Sequence, residues 1–353
     1  MDAICRVAFG VKTDCQKRDD HPLVVHSKKI LTPVPNIIAF FNIMLPELEF
    51  FFYPICRLQI ILQETFLPMN SHMYINSAVA EIVDRRRKEV DTDRRDLLQA
   101  LIDARITSDN VSAKVSTATS DEVNIISNDQ NAKEKSSTKS RKLNDYEIIG
   151  NAVVALVAGY ETTSTTLAFI AHQLVNYPDI QEKMREEILD IFAREGKLDY
   201  NTLAGLPLME AVIQETLRLY PPVSLFVNRV AANDYVYKDK VIPKGTVVMA
   251  PVVNLQRDPK IWPEPNEFKP ERFSKENKAN VNWMYWQPFG NGSRNCVGMR
   301  FALLEMKLAL AKLLLKYRLV SGPKTEIGEI TRWFKPFLIS PKNGVHVKVE
   351  ALS

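Results

Sequence analysis

The feature that most constrains the fold of this chain is a long apolar stretch near its middle. From Ile148 to His172 the residues are apolar almost all round a helix, and the one acid among them is Glu161. A helix without a polar face has to be buried on all sides. We therefore expect a helix in the middle of the protein, with other elements packed around it in a large globular domain.

Composition and charge agree with such a domain and limit the classes of partner that it can bind. A chain that is 46% hydrophobic and 25% charged is not disordered throughout. Its 353 residues allow two domains or one large domain. The net charge is only +4, and basic residues form a block only at 85–88, so we expect no nucleic-acid partner. With 12 glycines, glycine-rich phosphate-binding folds and many-turned β sandwiches are disfavoured.

Cysteine and histidine spacing indicates neither disulfides nor a zinc site. The four cysteines contain no CxxC pair, so we interpret them as reduced thiols, and the five histidines lack zinc-ligand spacing. The apolar run at 37–52 is interrupted by polar residues and a proline, so we do not expect it to span a membrane. The first ten residues do not resemble a signal peptide, so the sequence as written predicts neither an anchor nor a targeting signal.

The periodicity predicts a mainly α-helical fold with small β-sheets. We expect short helices and loops over 1–53, with longer helices at 75–104, 144–172, 178–195, 208–220 and 297–317. Alternating segments at 234–237, 246–249 and 336–352 predict strands and turns. Residues 106–142 include twelve Ser or Thr and no aromatic, Gly or Pro, which predicts a flexible polar insertion; a polar helix is the alternative.

The sharpest local signal is a glycine-rich loop that contains a cysteine just before a predicted helix. It runs from Phe289 and Gly290 through Gly292 and Arg294 to Cys296 and Gly298. Free N–H groups at a helix start and the nearby arginine favour a thiolate. Glycines let the backbone approach a bulky ligand, and a lone thiolate can be an axial ligand of haem iron. The alternative is a buried structural cysteine.

The loop pattern Phe-x-x-Gly-x-Arg-x-Cys-x-Gly resembles the haem-binding loop of the cytochrome P450 family. Phe289, Gly292, Arg294, Cys296 and Gly298 fill every fixed position of that pattern. Further phrases, such as AGYETTSTT and IPKGTVVMAP, are most similar to the animal microsomal clan that includes family 3. The resemblance implies a mainly α cytochrome P450 fold with small β-sheets, haem b (iron protoporphyrin IX) as cofactor, and Cys296 as the axial ligand of the haem iron.

Two weaker motifs together resemble the family's E-R-R triad. Glu215-Thr-Leu-Arg218 is an E-x-x-R on a predicted helix, and Arg272 follows in a proline-rich loop. The same spacing at Glu182 and Arg185 shows how little E-x-x-R means alone, because such pairs are most often exposed helix pairs. By resemblance, Glu215, Arg218 and Arg272 form a structural network of buried charges, and loss of one partner should cost several kcal/mol.

A third motif lies in the apolar helix, at Ala158-Gly159-Tyr-Glu161-Thr162. A glutamate in such a helix is costly without a partner or a purpose, and Gly159 leaves room beside Thr162. Helix packing around a small residue is the alternative. The resemblance implies that Ala158 and Gly159 lie over the iron, while Glu161 and Thr162 are catalytic and deliver protons to oxygen.

Other expectations come from the resemblance alone. Arg229 and Arg294 are expected to bind the haem propionates, and the alternative for Arg229 is a surface arginine at a strand start. Residues 222–226 and 156–158 are expected to reach toward the substrate. Arg300 and Lys307 are expected to meet the acidic surface of a reductase.

The resemblance covers the sequence from end to end, but family members run near five hundred residues. We therefore expect residues 1–353 to form one incomplete cytochrome P450 domain that lacks its N-terminal part. The expected missing parts are a membrane anchor, a proline-rich hinge, the first strands and the helix whose Trp and Arg hold a haem propionate. By resemblance, a full-length member would lie on the cytosolic face of the endoplasmic reticulum membrane.

Three functions are compatible with the sequence. The first is a monooxygenase that inserts one oxygen atom from O2 into a lipophilic substrate, with electrons from NADPH-cytochrome P450 reductase. The second is a non-catalytic or vestigial haem-binding fragment. The third is an isomerase or dehydratase that rearranges a peroxide without a reductase, and the intact Glu161-Thr162 pair weighs against it. The sequence does not name the substrate.

Overall fold

The computed structural model describes residues 1–18, 20–31, 54, 71–88, 94–106, 141–223, 228–334 and 338–352. These residues form two compact units, 1–160 and 161–353. Helix α5, Asp145–Asn176, contributes residues to both units. The predicted polar insertion at 106–142 lies almost wholly outside the described residues, and the single-domain organisation stays a prediction.

The first unit is built from helices that are joined by charged and capping contacts. The helices are α1 (Asp2–Phe9), α2 (Pro22–Leu31), α3 (Ser71–Lys88) and α4 (Leu97–Asp103). Helix α1 ends at Gly10, whose φ of 65° suits a glycine and whose N–H reaches the Arg6 and Cys5 carbonyls. Arg86 on α3 is buried, and it donates to the Phe9 carbonyl at 2.9 Å and to Asp96 at 2.7 and 2.9 Å. Asp96 also caps α4, so one ion pair connects three helices.

The second unit contains further helices around an apolar core. They are α6 (Pro178–Glu195), α7 (Tyr200–Ala204), α8 (Pro207–Leu219), α9 (Val252–Leu255) and α10 (Met299–Leu314). Prolines begin α6 and α8, and Asp199 begins α7 with a capping box. Helix α8 is buried from Ala211 to Leu219, so its side chains occupy the centre of this core.

The described strands form short antiparallel pairs. β1 (Arg105–Ile106) pairs with β2 (Arg141–Lys142) in the first unit. In the second unit, β3 (Asn228–Val230) pairs with β6 (Val247–Met249), and β4 (Tyr235–Tyr237) pairs with β5 (Lys240–Ile242). Near the end of the chain, β7 (Tyr317–Val320) pairs with β10 (Lys348–Ala351), and β8 (Arg332–Phe334) pairs with β9 (Ile339–Pro341). Arg229 lies opposite Val248 in the β3–β6 register.

A buried glutamine holds the end of the chain against α6. The Gln181 amide donates to the Leu319 carbonyl at 2.9 Å and to the Leu174 carbonyl at 3.0 Å, and its oxygen accepts from the Leu319 N–H at 2.8 Å. Gln181 and Leu319 are 138 residues apart in sequence. One side chain therefore satisfies backbone groups of β7 and α5 that would otherwise be buried without partners.

The mainly α fold with small β-sheets is confirmed, and most predicted helices lie where expected. The helix predicted over 75–104 is two helices, α3 and α4, with residues 89–93 outside the description. Helix α5 is not buried all round, because Val154 is 67% exposed and Ala158 is also exposed. By length and hydropathy α5 is the one described helix that could cross a membrane, and 44% of its apolar window is buried.

Candidate functional site

The loop that carries Cys296 is held in shape by its own backbone. A 3₁₀ turn spans Gly292–Arg294, and the Cys296 N–H donates to the Phe289 carbonyl at 2.8 Å. Gly290 and Gly292 have φ of 73° and 78°, a conformation that residues with a side chain rarely adopt. The chain then enters α10 at Met299, with Gly298 as its N-cap residue. The path of the backbone thus requires glycine at positions 290 and 292, whereas Gly298, with a φ of −88°, is not required by its conformation.

Cys296 is exposed, whereas the other described cysteines, Cys5 and Cys15, are buried. The next residue, Val297, is fully exposed. A Cβ added at Gly298 would lie 3.9 Å from the Cys296 sulfur, an ordinary van der Waals contact. The alternative of a buried structural cysteine is therefore wrong, and this thiol is available to a ligand.

Two arginines of the predicted site flank the loop. Arg229 on β3 donates to the Asn291 carbonyl at 2.8 Å and to the Asn228 carbonyl at 2.6 Å, so the structure brings it against the cysteine loop. Arg294 lies in the 3₁₀ turn of that loop, and both arginines are exposed. Two exposed guanidinium groups beside an exposed thiol are suited to a ligand that carries carboxylates.

Sequence reasoning missed the residue that supports the base of the loop. Gln256 is fully buried at the end of α9, and its amide donates to the Leu217 and Arg218 carbonyls at 3.1 and 2.9 Å. Its oxygen accepts from the Gln287 N–H at 2.8 Å, two residues before Phe289. Nothing in the sequence marks this glutamine, because its importance comes from contacts with segments about 31 and 38 residues away.

Glu215, Arg218 and Arg272 meet in one buried network. The Glu215 and Arg218 side chains are both 0% exposed, and Arg218 donates to the two Glu215 oxygens at 2.7 and 2.9 Å. Arg272 donates to the same carboxylate at 3.3 Å, and the Lys269 N–H adds a bond at 2.9 Å. Arg218 also reaches three backbone carbonyls, those of Gln256, Pro265 and Glu267.

The second E-x-x-R of the sequence has a different environment. Glu182 and Arg185 on α6 form a 3.1 Å pair with side chains 36% and 22% exposed, and Arg318 binds the same glutamate at 2.7 Å. Its environment is that of a partly exposed surface pair, as expected for this spacing. Identical spacing therefore gives a buried network in one helix and a surface pair in another.

The motif on α5 is only partly placed as expected. Ala158 is exposed, and Thr162, one turn later, shares its helix face, with both Glu161 and Thr162 half-buried. Gly159, by contrast, leaves no open groove, because a side chain there would come within 2.9 Å of Ile4 on α1. The expectation that Gly159 opens space beside the helix is wrong, since Ile4 already fills that space.

Two other expectations are corrected by burial. Lys307 is buried and binds Glu210 at 3.0 Å and the Leu203 carbonyl at 3.2 Å, so it does not offer its charge to a partner surface. Arg300 is exposed, as expected. Leu156 is 2% exposed in the first unit, so it does not face an open substrate site. The other segment expected near the substrate, 222–226, is described only to residue 223.

The donor set around Cys296 fits haem b. The described residues contain no group of three or more His, Cys, Asp or Glu side chains that could hold a bare metal ion. The exposed Cys296 thiol, two exposed arginines and the exposed apolar side chains of Val297 and Met284 match an iron macrocycle with apolar faces and carboxylates. A fold of this kind with such a site is typical of haem-thiolate proteins.

Comparison with known proteins gives the family. The sequence matches the cytochrome P450 family over residues 1–348, and the chain belongs to that family, whose members bind haem b. It is 37% identical over 329 residues to cytochrome P450 3A29 of Sus scrofa, which covers 93% of this chain and 58% of that relative. It is 35% identical to cytochrome P450 3A6 of Oryctolagus cuniculus and 32% identical to lithocholate 6-beta-hydroxylase of Mesocricetus auratus, each match covering 99% of this chain and 62% of the relative.

These comparisons confirm the resemblance to the animal clan that includes family 3. The chain spans 58–62% of the length of these curated relatives.

Proposed function

We propose that this chain is a haem-thiolate monooxygenase that inserts one oxygen atom from O2 into a lipophilic substrate. The observation that carries the proposal is the exposed Cys296 thiol in a loop whose backbone is fixed by Phe289 and two left-handed glycines. Cys296 would hold the haem iron through its sulfur, and cysteine ligation distinguishes this oxygen chemistry from other uses of haem. Haem b, when bound, would activate O2, and the reaction also consumes two electrons and two protons from other sources.

The residues around the loop have separate tasks in this proposal. Cys296 would bind the iron, and the bond from its N–H to the Phe289 carbonyl fixes the backbone that carries the sulfur. Arg229 and Arg294 would bind the haem carboxylates, and the Asn291 carbonyl holds the Arg229 side chain beside the loop at 2.8 Å. Gln256 fixes the backbone before Phe289, so it is a positioning residue that acts through the loop.

Proton supply is assigned to α5. Glu161 and Thr162 are half-buried neighbours on this helix, and a carboxyl and a hydroxyl group are side chains that can transfer protons in general acid–base catalysis. The Thr162 backbone carbonyl accepts from the Thr166 hydroxyl at 2.9 Å, which orders this turn of the helix. The exposed apolar side chains of Val154 and Ala158 are suited to contact a lipophilic molecule rather than water.

The electron donor in this proposal is NADPH-cytochrome P450 reductase, a flavoprotein with an acidic docking surface. Arg300, exposed in the first turn of α10, contributes to binding it. We also propose residence at the endoplasmic reticulum membrane, on its cytosolic face, as for the family's microsomal members.

The first experiment is the carbon monoxide difference spectrum of the reduced, haem-loaded chain. We expect a red-shifted Soret band of the thiolate-ligated type in the wild type and in Cys15→Ala, and its loss in Cys296→Ala. Cys15 is the matched control because it is another cysteine of the chain, buried in the first unit. A Soret band that survives Cys296→Ala would contradict the assignment of the ligand.

Turnover separates the monooxygenase from its alternatives. We expect oxidation of a lipophilic probe that requires both NADPH and the reductase, and a strong decrease in Thr162→Ala with haem binding intact. A chain that shows the Soret band but no turnover would instead be a non-catalytic haem-binding protein. Conversion of a lipid peroxide without NADPH would indicate the isomerase or dehydratase reaction.

A further inference from the structure

A small cavity lies in the first unit. Its volume is about 130 Å³, and residues of α1, α2, α3 and α5 line it together with the segment after α1. Most of the lining is apolar or aromatic: Phe9, Val11, Leu23, Tyr74, Ala78, Val79, Ile82 and Leu156. Cys5, Thr13 and His21 complete it. Every described lining residue belongs to this one unit.

The polar groups of the lining are few, and two have local partners. The Thr13 hydroxyl donates to Asp2 at 2.5 Å, and His21 Nδ1 accepts from the Leu23 N–H at 3.3 Å. Burial raises the pKa of the Cys5 thiol to about 11, which is the response expected of a thiol in an apolar environment. A trapped water needs two to four polar partners, so this cavity favours an apolar occupant.

The size of the cavity limits what can occupy it. Drug-sized ligands need about 300–1,000 Å³, which excludes them here. An apolar protein cavity of about 150 Å³ stays dry and takes up benzene or xenon. The ring of Tyr74 is held by stacking on His26, with ring centroids 4.4 Å apart, so one wall presents a fixed aromatic ring. A single aromatic ring matches this volume and lining.

The cavity is separate from the face of α5 that carries Thr162. Leu156 lines the cavity and precedes Ala158 by two residues, which places it about 200° away around the helix axis. Ala158 and Thr162 share the other face. Glu161 and Thr162, to which proton supply is assigned, are not among the described residues that line the cavity.

We infer that the first unit binds a small neutral molecule with one aromatic ring in this cavity, independently of the Cys296 site. The inference does not depend on the proposed monooxygenase reaction. Since Leu156 belongs to α5, a ligand in the cavity adds packing to the same helix that carries Glu161 and Thr162.

The test is binding of benzene and phenol to the haem-loaded chain, measured by saturation-transfer NMR and by titration calorimetry. Ala78→Leu adds bulk to the cavity wall, and we expect at least a tenfold loss of affinity. Ala80→Leu is the matched control, because it makes the same change on α3 at a residue outside the lining. We expect Ala80→Leu and Cys296→Ala to bind benzene within twofold of the wild type. In the wild type and in Ala80→Leu, ligand addition should leave the Soret band unshifted.

Two results would overturn the inference. One is equal affinity in Ala78→Leu and Ala80→Leu, and the other is binding that disappears in Cys296→Ala, which would locate the ligand at the haem site. If Ala78→Leu does not fold, Leu156→Ala provides the test of the cavity. Enlarging the cavity should raise affinity for naphthalene relative to benzene at least fivefold, and an unchanged ratio would count against the cavity.

Discussion

Replacing Arg218 by alanine tests whether burial or spacing determines how much an E-x-x-R pair contributes to the free energy of unfolding. Arg218 makes two bonds to Glu215 and three to backbone carbonyls, and its guanidinium lies 5.4 Å from the centre of the Trp262 ring. Both charged side chains are 0% exposed. In Arg218→Ala the Glu215 carboxylate keeps the 3.3 Å bond from Arg272 and the Lys269 N–H.

The expected loss follows from these contacts. Breaking a buried ion pair by removing one partner costs about 3–5 kcal/mol, because the remaining charge stays buried. Each carbonyl left without a donor adds about 1–3 kcal/mol wherever water does not reach it. Since whole domains are stable by only about 5–15 kcal/mol, we expect Arg218→Ala to lose most of the stability of the second unit.

The matched control is Arg185→Ala. Its pair with Glu182 has the same spacing at 3.1 Å but is partly exposed, so we expect a loss of about 0–1 kcal/mol. Urea unfolding followed by tryptophan fluorescence is the assay, because all four tryptophans lie in the second unit. Arg218→Lys keeps the charge but not the planar fork, and it should fall between the two alanine variants.

A difference of less than about 1 kcal/mol in free energy of unfolding between Arg218→Ala and Arg185→Ala would contradict a special role for burial, because exposed pairs alone vary over that range. The reasoning is also refuted if Arg218→Lys is as stable as the wild type, because charge alone would then suffice. If Arg218→Ala yields no soluble protein, the comparison between Arg218→Lys and Arg185→Lys provides the same test.

Three further predictions concern other contacts. Asp2 has a pKa of about 2, because hydrogen bonds from Thr13 and two backbone N–H groups outweigh the burial that would raise it. Its contribution is therefore present above its ordinary pKa near 3.8 and is lost as the pH falls through 2, so Asp2→Asn should destabilise α1 clearly at pH 5 and much less at pH 2, measured by amide exchange. Gly10→Ala should cost more than Gly196→Ala by thermal unfolding. Both glycines have φ near 65°, so an alanine at either position costs about 1–2 kcal/mol of stability. Only at position 10 does the added methyl also meet another group, the Arg86 side chain at 2.8 Å. Gln256→Leu should lower haem retention more than Gln214→Leu, because only Gln256 holds the backbone before Phe289.

Each of these has a contradicting result. An Asp2→Asn effect that persists unchanged at pH 2 would mean that the Asp2 charge is not its cause. Equal midpoints for the two glycine variants would remove the steric argument at position 10. Normal haem retention in Gln256→Leu would show that the cysteine loop holds its shape without support from α9.

The cysteine loop was the most readable part of the sequence. Its glycines, arginine and thiol lie within ten residues, so backbone path and chemistry are both determined locally. The helices were readable for a similar reason, since prolines and αL glycines mark several of their ends. The family and the mainly α fold followed from these local signals.

The parts that could not be predicted depend on contacts between distant segments. Glu215 and Glu182 have the same local sequence pattern, and only tertiary packing makes one buried and the other exposed. The sequence predicts space beside Gly159, but Ile4, which comes 155 residues earlier in the chain, fills it. Lys307 was expected at the surface, yet α10 turns it toward Glu210.

The contacts of Gln181 have a consequence for synthesis of the chain. At about 5–20 residues per second, a ribosome needs about 7–28 s to make the 138 residues that separate Gln181 from Leu319. Throughout this interval the glutamine amide and the core residues of α6 lack the partner strand that covers them in the finished unit. The second unit therefore cannot complete its core while its C-terminal strands are still unmade, and its yield in cells should depend on chaperones that bind exposed apolar segments of nascent chains.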